Sequence, residues 1–82
     1  MKRSTTRLIK AEYSKAVKKH PKFPDKDIVH IVGVMAEEAG EALQAAMNTY
    51  YHGGDIEKVK TELLQTGAMV YRSYEKIEEL LK

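Results

Sequence analysis

The chain has no cysteine, no tryptophan, two prolines and a single phenylalanine among 82 residues. Without cysteine, neither a disulfide nor a thiolate metal site can staple the fold. No run approaches the roughly 18 apolar residues that a membrane span needs, and no apolar signal-peptide core follows the basic N-terminus. The expectation is a soluble, cytoplasmic protein. Strand-period alternation, internal repeats and low-complexity tracts are missing too. So are a Ser-His-Asp order and a P-loop, because Gly53-Gly54 lacks both the preceding strand and the following Lys-Ser/Thr. The length allows one domain, residues 1–82, with a modest core of the kind that often gains stability by oligomerising.

What is present is unevenly distributed. The net charge of +2 divides into nine Lys/Arg against two acids over residues 1–26, and five against ten over residues 27–82. The basic third could be a solvated helix face, a phosphate-binding rim or a nucleic-acid patch.

Apolar spacing predicts three helices, at about 5–19, 26–52 and 55–81. Ser4, Thr5 and Thr6 offer N-caps for the first, whose stripe is narrow: Leu8 or Ile9, Tyr13, Ala16 and Val17. Pro21 and Pro24 make His20–Asp25 a connection, with Phe23 expected to be a plug beneath it. Asp25 is the expected cap of the second helix, with Asp27 in its first turn. The stripe there is Ile28, Ile31, Val32, Met35, Ala39, Ala42, Ala46 and Tyr50. Gly53-Gly54 should turn the chain, and Asp55 should cap a third helix with the stripe Ile56, Val59, Leu63, Val70, Tyr74, Ile77 and Leu81. Gly40 and Gly67 lie inside helices, where glycine costs roughly 1 kcal/mol against alanine; close helix approach, small-residue packing or room for a ligand would explain them. Tyr50-Tyr51 near a helix end reads as packing more readily than as a nucleobase contact. His30 and His52 are too far apart for a compact metal pair.

The densest chemistry is Glu37-Glu38-Ala39-Gly40-Glu41, in the middle of the most apolar helix. Three glutamates within one and a half turns repel one another and resist burial, a cost that a hard divalent cation would remove. Advancing about 100° per residue, Glu38 falls roughly 60° from Met35 and Glu41 roughly 120°, while Glu37 lies nearer the opposite face. On the third helix Glu62 falls roughly 100° from Leu63 and Gln65 roughly 160°. Each i, i+3 pair can reach one ion, so an antiparallel pairing of these helices would make a metal site of the two stretches. Lys58, Arg72 and Lys76 lie on roughly the same side as Glu62 and Gln65.

These motifs resemble the MazG-like all-α nucleoside triphosphate pyrophosphohydrolases, whose signature is E-E-x-x-E on one helix and E-x-x-D on the next. Glu37, Glu38 and Glu41 match the first half; Glu62-Leu63-Leu64-Gln65 matches the second, with glutamine where aspartate is usual. The resemblance implies Mg²⁺-dependent cleavage (Mn²⁺ being an alternative ion) between the α- and β-phosphates of an NTP or dNTP, and phosphate partners should be cationic, which makes Arg72 foremost, then Lys58 and Lys76, the candidates. It implies Glu38, Glu41 and Glu62 as metal ligands, Gln65 as a fourth through its amide oxygen, and Glu37 or a ligand such as Glu38 as acceptor of the water's proton. A neutral amide is the weaker ligand, so metal should be held more loosely than in an E-x-x-D relative.

The second helix carries a further apolar arc, Val29, Ala36, Leu43 and Met47, wider than one packing face requires. It predicts a homodimer or homotetramer in which helices of different chains complete a bundle. The rival readings are a catalytically silent interaction protein with the MazG-like fold and a small helical nucleic-acid module. The latter is favoured by the basic third and disfavoured by the lack of a helix-turn-helix spacing or base-reading cluster.

Overall fold

A computed structural model describes residues 3–19 and 27–81, which form three helices: α1 (Arg3–Lys19), α2 (Ile28–His52) and α3 (Ile56–Leu80). The all-helical fold class follows the sequence reading, and no strand occurs among the described residues. No helix among them is long and apolar enough to cross a membrane. The expected plug Phe23, the expected cap Asp25 and the rest of the proline-bounded connection lie outside the described residues.

Helix termini explain where α2 and α3 begin and end. The first turn of a helix leaves backbone N–H groups without intrahelical partners. Asp27, rather than Asp25, answers this for α2: its carboxylate accepts from the His30 N–H at 2.7 Å. The helix starts at Ile28, so the aspartate just before it is the one in reach. Asp55 caps α3 as expected, accepting from the Glu57 N–H at 3.0 Å. Between them Gly53 takes the left-handed conformation (φ 67°, ψ 36°), and the N–H groups of Gly53 and Gly54 both turn back to the Asn48 carbonyl. Only glycine adopts that backbone cheaply, so the sharp reversal is local chemistry. Ser4, Thr5 and Thr6 do not cap α1. The helix already runs at Arg3 and places their hydroxyls inside its first turns.

The turn makes α2 and α3 an antiparallel pair. Thr49 lies opposite Asp55, and Thr66 opposite Glu38, each pair nearly equidistant from the reversal. Helix α1 packs against α3 and makes no close backbone approach to α2, so α3 is the central element. Contacts with α3 seat α1. Tyr13 donates to Glu75 at 2.6 Å and meets Tyr71 edge-on at 4.9 Å; Arg72 donates to the Ala16 carbonyl at 3.1 Å; Ile9 lies over Gly67. A Cβ on Gly67 would sit 3.2 Å from Ile9 Cδ1, so close helix approach accounts for that glycine, whereas Gly40 faces open space.

The contact face of α1 is its expected stripe, Ile9, Tyr13, Ala16 and Val17, whereas those of α2 and α3 are rotated from theirs. On α2 the inward line is Ile31, Met35, Glu38, Ala42 and Thr49, with Ile31 and Ala42 buried. Val32, Ala39 and Tyr50, all assigned to the stripe, are exposed, and so is Ile28. On α3 the buried residues are Glu62, Ala68, Arg72 and Ser73, while Ile56, Leu63, Val70, Tyr74 and Leu81 point outward. Glu62 was placed on a flank and is in fact at the contact. Leu63, taken as the stripe's centre, is 56% exposed. A periodicity argument centres each helix on its greasiest line. On α3 the hairpin closes on a line through Glu62 and Thr66, about 100° from Leu63, whereas on α2 the shift is smaller and Ile31, Met35 and Ala42 stay inside. In an antiparallel pair, shifts of the same sense turn both apolar lines to the same side, leaving Val32, Leu43, Leu63, Val70 and Tyr74 exposed there.

Candidate metal centre

Glu38 and Glu41 come from the middle of α2 and Glu62 from the second turn of α3. Antiparallel pairing brings the two motifs level, and one carboxylate oxygen from each glutamate lies within 4.8 Å of the others. The register is held at this point by Thr66. Its hydroxyl lies 2.8 Å from the Glu62 carbonyl, one turn back in its own helix, and 3.2 Å from the Glu38 carbonyl across the pair. Thr66 is a positioning residue that sequence reasoning missed. A threonine bonding to the carbonyl four residues back is common in helices, and nothing in the spacing signals the second acceptor.

The cluster is electrostatically costly as it stands. Glu62 is 6% exposed, and one of its oxygens takes the Lys58 ammonium at 3.2 Å. Its other oxygen, like one oxygen of Glu38, is buried without a hydrogen-bond partner. Burial pushes the Glu38 carboxyl above the usual carboxylate range, and the negative charges of Glu41, Glu62 and Glu37 push it further in the same direction. Two orphaned carboxylate oxygens at the meeting point of three acids form a donor set of hard oxygens that suits a hard divalent cation. Residues and group fit.

Two grooves meet at the cluster. A cavity of about 1010 Å³ runs along the turn end of the α2–α3 pair, lined by Glu41, Glu62, Lys58, Asn48, Tyr51 and His52 among others. Gly40 opens onto it, so its missing side chain leaves room there. A smaller cavity of about 280 Å³ crosses α3 between Glu38 and α1. Gln65 and Met69 lie along it, and Lys15 and Lys19 of α1 form its far wall. Gln65 therefore shares a groove with Glu38, while Glu37, the preceding residue, is exposed.

The expected phosphate partners are engaged otherwise. Arg72 is buried, and its guanidinium donates to the Ala16 carbonyl. Burial pulls its pKa below the ordinary guanidinium value, against an opposing influence from Tyr13. A heptad beyond Gln65 on the same helix, it faces α1 and serves as a tie between helices. Lys76 lies 3.3 Å from Glu79, and Lys58 pairs with Glu62. Lys58 alone of the three lines the larger groove beside the carboxylates. Tyr50 and Tyr51 meet edge-on at 4.8 Å and are otherwise exposed, with Tyr51 on the larger groove. Comparison with models of known families, with curated proteins and with solved structures finds no match for this chain.

Proposed function

We propose that the protein is a divalent-cation-dependent pyrophosphohydrolase acting on a nucleoside or deoxynucleoside triphosphate, releasing the monophosphate and pyrophosphate. The observation that carries the reading is the convergence of Glu38, Glu41 and Glu62 within 4.8 Å, with buried oxygens of Glu38 and Glu62 left unpartnered. These residues are the match to the E-E-x-x-E and E-x-x signatures of the MazG-like family, and Gln65 is the one departure. Glu38, Glu41 and Glu62 would hold Mg²⁺ or Mn²⁺, with the Gln65 amide oxygen beside them. The bound ion would offset phosphate charge and lower the pKa of a water nucleophile.

The chain's own groups supply the remainder. In hydrolysis a water oxygen bonds to phosphorus, the bridging bond between the α- and β-phosphates breaks, and pyrophosphate leaves. The water's proton would pass to a carboxylate of the Glu37–Glu38 pair. Lys58, at the rim of the cluster and 64% exposed in its side chain, can move from Glu62 to a phosphate oxygen. The uncovered apolar side of the α2–α3 pair supports a homodimer or larger bundle, which would bury Val32, Leu43, Leu63 and Val70.

Two observations favour a second reading, a catalytically silent interaction protein with this fold. Gln65 removes a charge from the cluster, and Arg72, the foremost phosphate candidate, is spent on α1. Pyrophosphate release from a panel of NTPs and dNTPs, with Mg²⁺ or Mn²⁺ and beside a Glu38→Ala, Glu41→Ala control, separates the two. Metal-dependent release that the control lacks supports the hydrolase. No release from the folded protein, with release gained by Gln65→Asp, identifies a silenced relative.

A further inference from the structure

The smaller groove has a composition that the carboxylate cluster does not require. Its near wall is the metal-side glutamate, Glu38, with Gln65 and Met69 along α3. Its far wall is the last two turns of α1, where Lys15 and Lys19, four residues apart on one helix face, both line the cavity. Seating this wall takes deliberate packing: Ile9 against bare Gly67, the buried Arg72 on the Ala16 carbonyl, and Tyr13 on Glu75. The Ala16 tie lies between the two lysines, so Arg72 fixes the turn that carries them. At about 280 Å³ the groove is at the small end for ligand sites, and the two lysines line it together with Ala16, Ala68 and Met69.

We propose that Lys15 and Lys19 bind the pyrophosphate end of the substrate, with the helix-to-helix groove as its berth and Arg72 as the residue that positions them. The proposal rests on the hydrolase reading for the substrate's identity, but not for the binding chemistry. Two lysines one turn apart can each meet a phosphate group of a diphosphate unit, and the acidic cluster at the groove's inner end sets its direction. The nucleoside then extends into the larger cavity beside Tyr51 and His52. Glu12, which holds Lys15 at 3.4 Å and lines the same groove, competes with the anion for that ammonium.

The test is binding of inorganic pyrophosphate to the full chain with Mg²⁺ present, by calorimetry, in wild type, Lys15→Ala/Lys19→Ala, Lys15→Arg/Lys19→Arg and Glu12→Gln. The alanine pair should lose affinity tenfold or more while Mn²⁺ affinity and helical content stay unchanged. The arginine pair should restore most of it, and Glu12→Gln should tighten binding severalfold. Arg72→Lys should weaken binding less than the alanine pair. Unchanged affinity in the alanine pair, or no pyrophosphate binding by the wild type, overturns the assignment. Pyrophosphate binding that depends on both lysines in a chain that hydrolyses no nucleotide would sink the hydrolase reading and leave the anion berth standing.

Discussion

Replacing Glu62 by glutamine should make the metal-free protein more stable and the metal-loaded protein less so. The magnitude follows from the geometry. Two carboxylates with oxygens within 4.8 Å repel by about 3 kcal/mol at an effective dielectric of about 20. Salt at physiological strength, with a screening length of about 8 Å, reduces this by roughly half. Against the relief stands the ion pair with Lys58, whose side chain is mostly exposed and whose loss costs about 0.3–0.5 kcal/mol. The glutamine also keeps an acceptor for Lys58 and can turn an N–H toward the orphaned oxygen of Glu38, which adds a little. A net gain of about 1 kcal/mol corresponds to a melting temperature higher by roughly 4–8 °C in a domain of this size.

With cation in hundredfold excess over its dissociation constant, the wild type should gain about 2.7 kcal/mol, and the variant much less. The order of the two melting curves therefore inverts between EDTA and Mn²⁺. Differential scanning calorimetry at one fixed protein concentration reads both arms. A variant that melts below wild type in EDTA, together with an equal Mn²⁺ effect on the two proteins, would refute the reasoning.

Further expectations concern pH, α1 and the helical glycines Gly40 and Gly67. The Glu38 carboxyl titrates above its unfolded value, so the folded chain holds that proton to higher pH than the unfolded chain does. Metal-free stability from this group is therefore greatest below the unfolded value and falls as pH rises through the raised folded value; Glu38→Gln should remove that part of the slope in urea melts. Arg72→Ala leaves the Ala16 carbonyl without its donor and should cost about 1.5–3 kcal/mol, with amide hydrogen exchange accelerating first in α1. Gly40→Ala points its methyl into open space and should stabilise the monomer by up to about 1 kcal/mol. Gly67→Ala meets Ile9 at 3.2 Å and should stabilise less or destabilise, which paired denaturant midpoints would show.

The local rules were the most legible part of this chain. Gly53-Gly54 and Asp55 announced the turn and the cap in their residue types, because backbone conformation there is set by the residues themselves. The acidic cluster was legible for a related reason: an antiparallel hairpin about a known turn fixes which residues stand level, and that brings Glu38, Glu41 and Glu62 together. The facing of α1 was legible, because Ile9, Tyr13, Ala16 and Val17 are its half-buried line, but that of α3, and in part of α2, was not. Periodicity locates an apolar line without saying whether it meets a helix of the same chain. Here the lines through Leu43 and Leu63 remain uncovered while polar Glu62 and Ser73 are buried. Arg72 misled in the same way. Its place on the wheel put it beside Gln65, but α1 arrives on that flank and takes its guanidinium, a tertiary contact with no sequence signal.

The most direct measurement is Mn²⁺ binding followed by electron paramagnetic resonance, in wild type, Glu38→Gln and Glu62→Gln. If the three glutamates form one cation site, the wild type binds with an affinity that either substitution lowers at least tenfold, and added nucleoside triphosphate changes the spectrum of the bound ion. Equal weak binding by all three proteins, with a spectrum indifferent to nucleotide, would mean that the cluster is a strained acidic patch and not a metal centre.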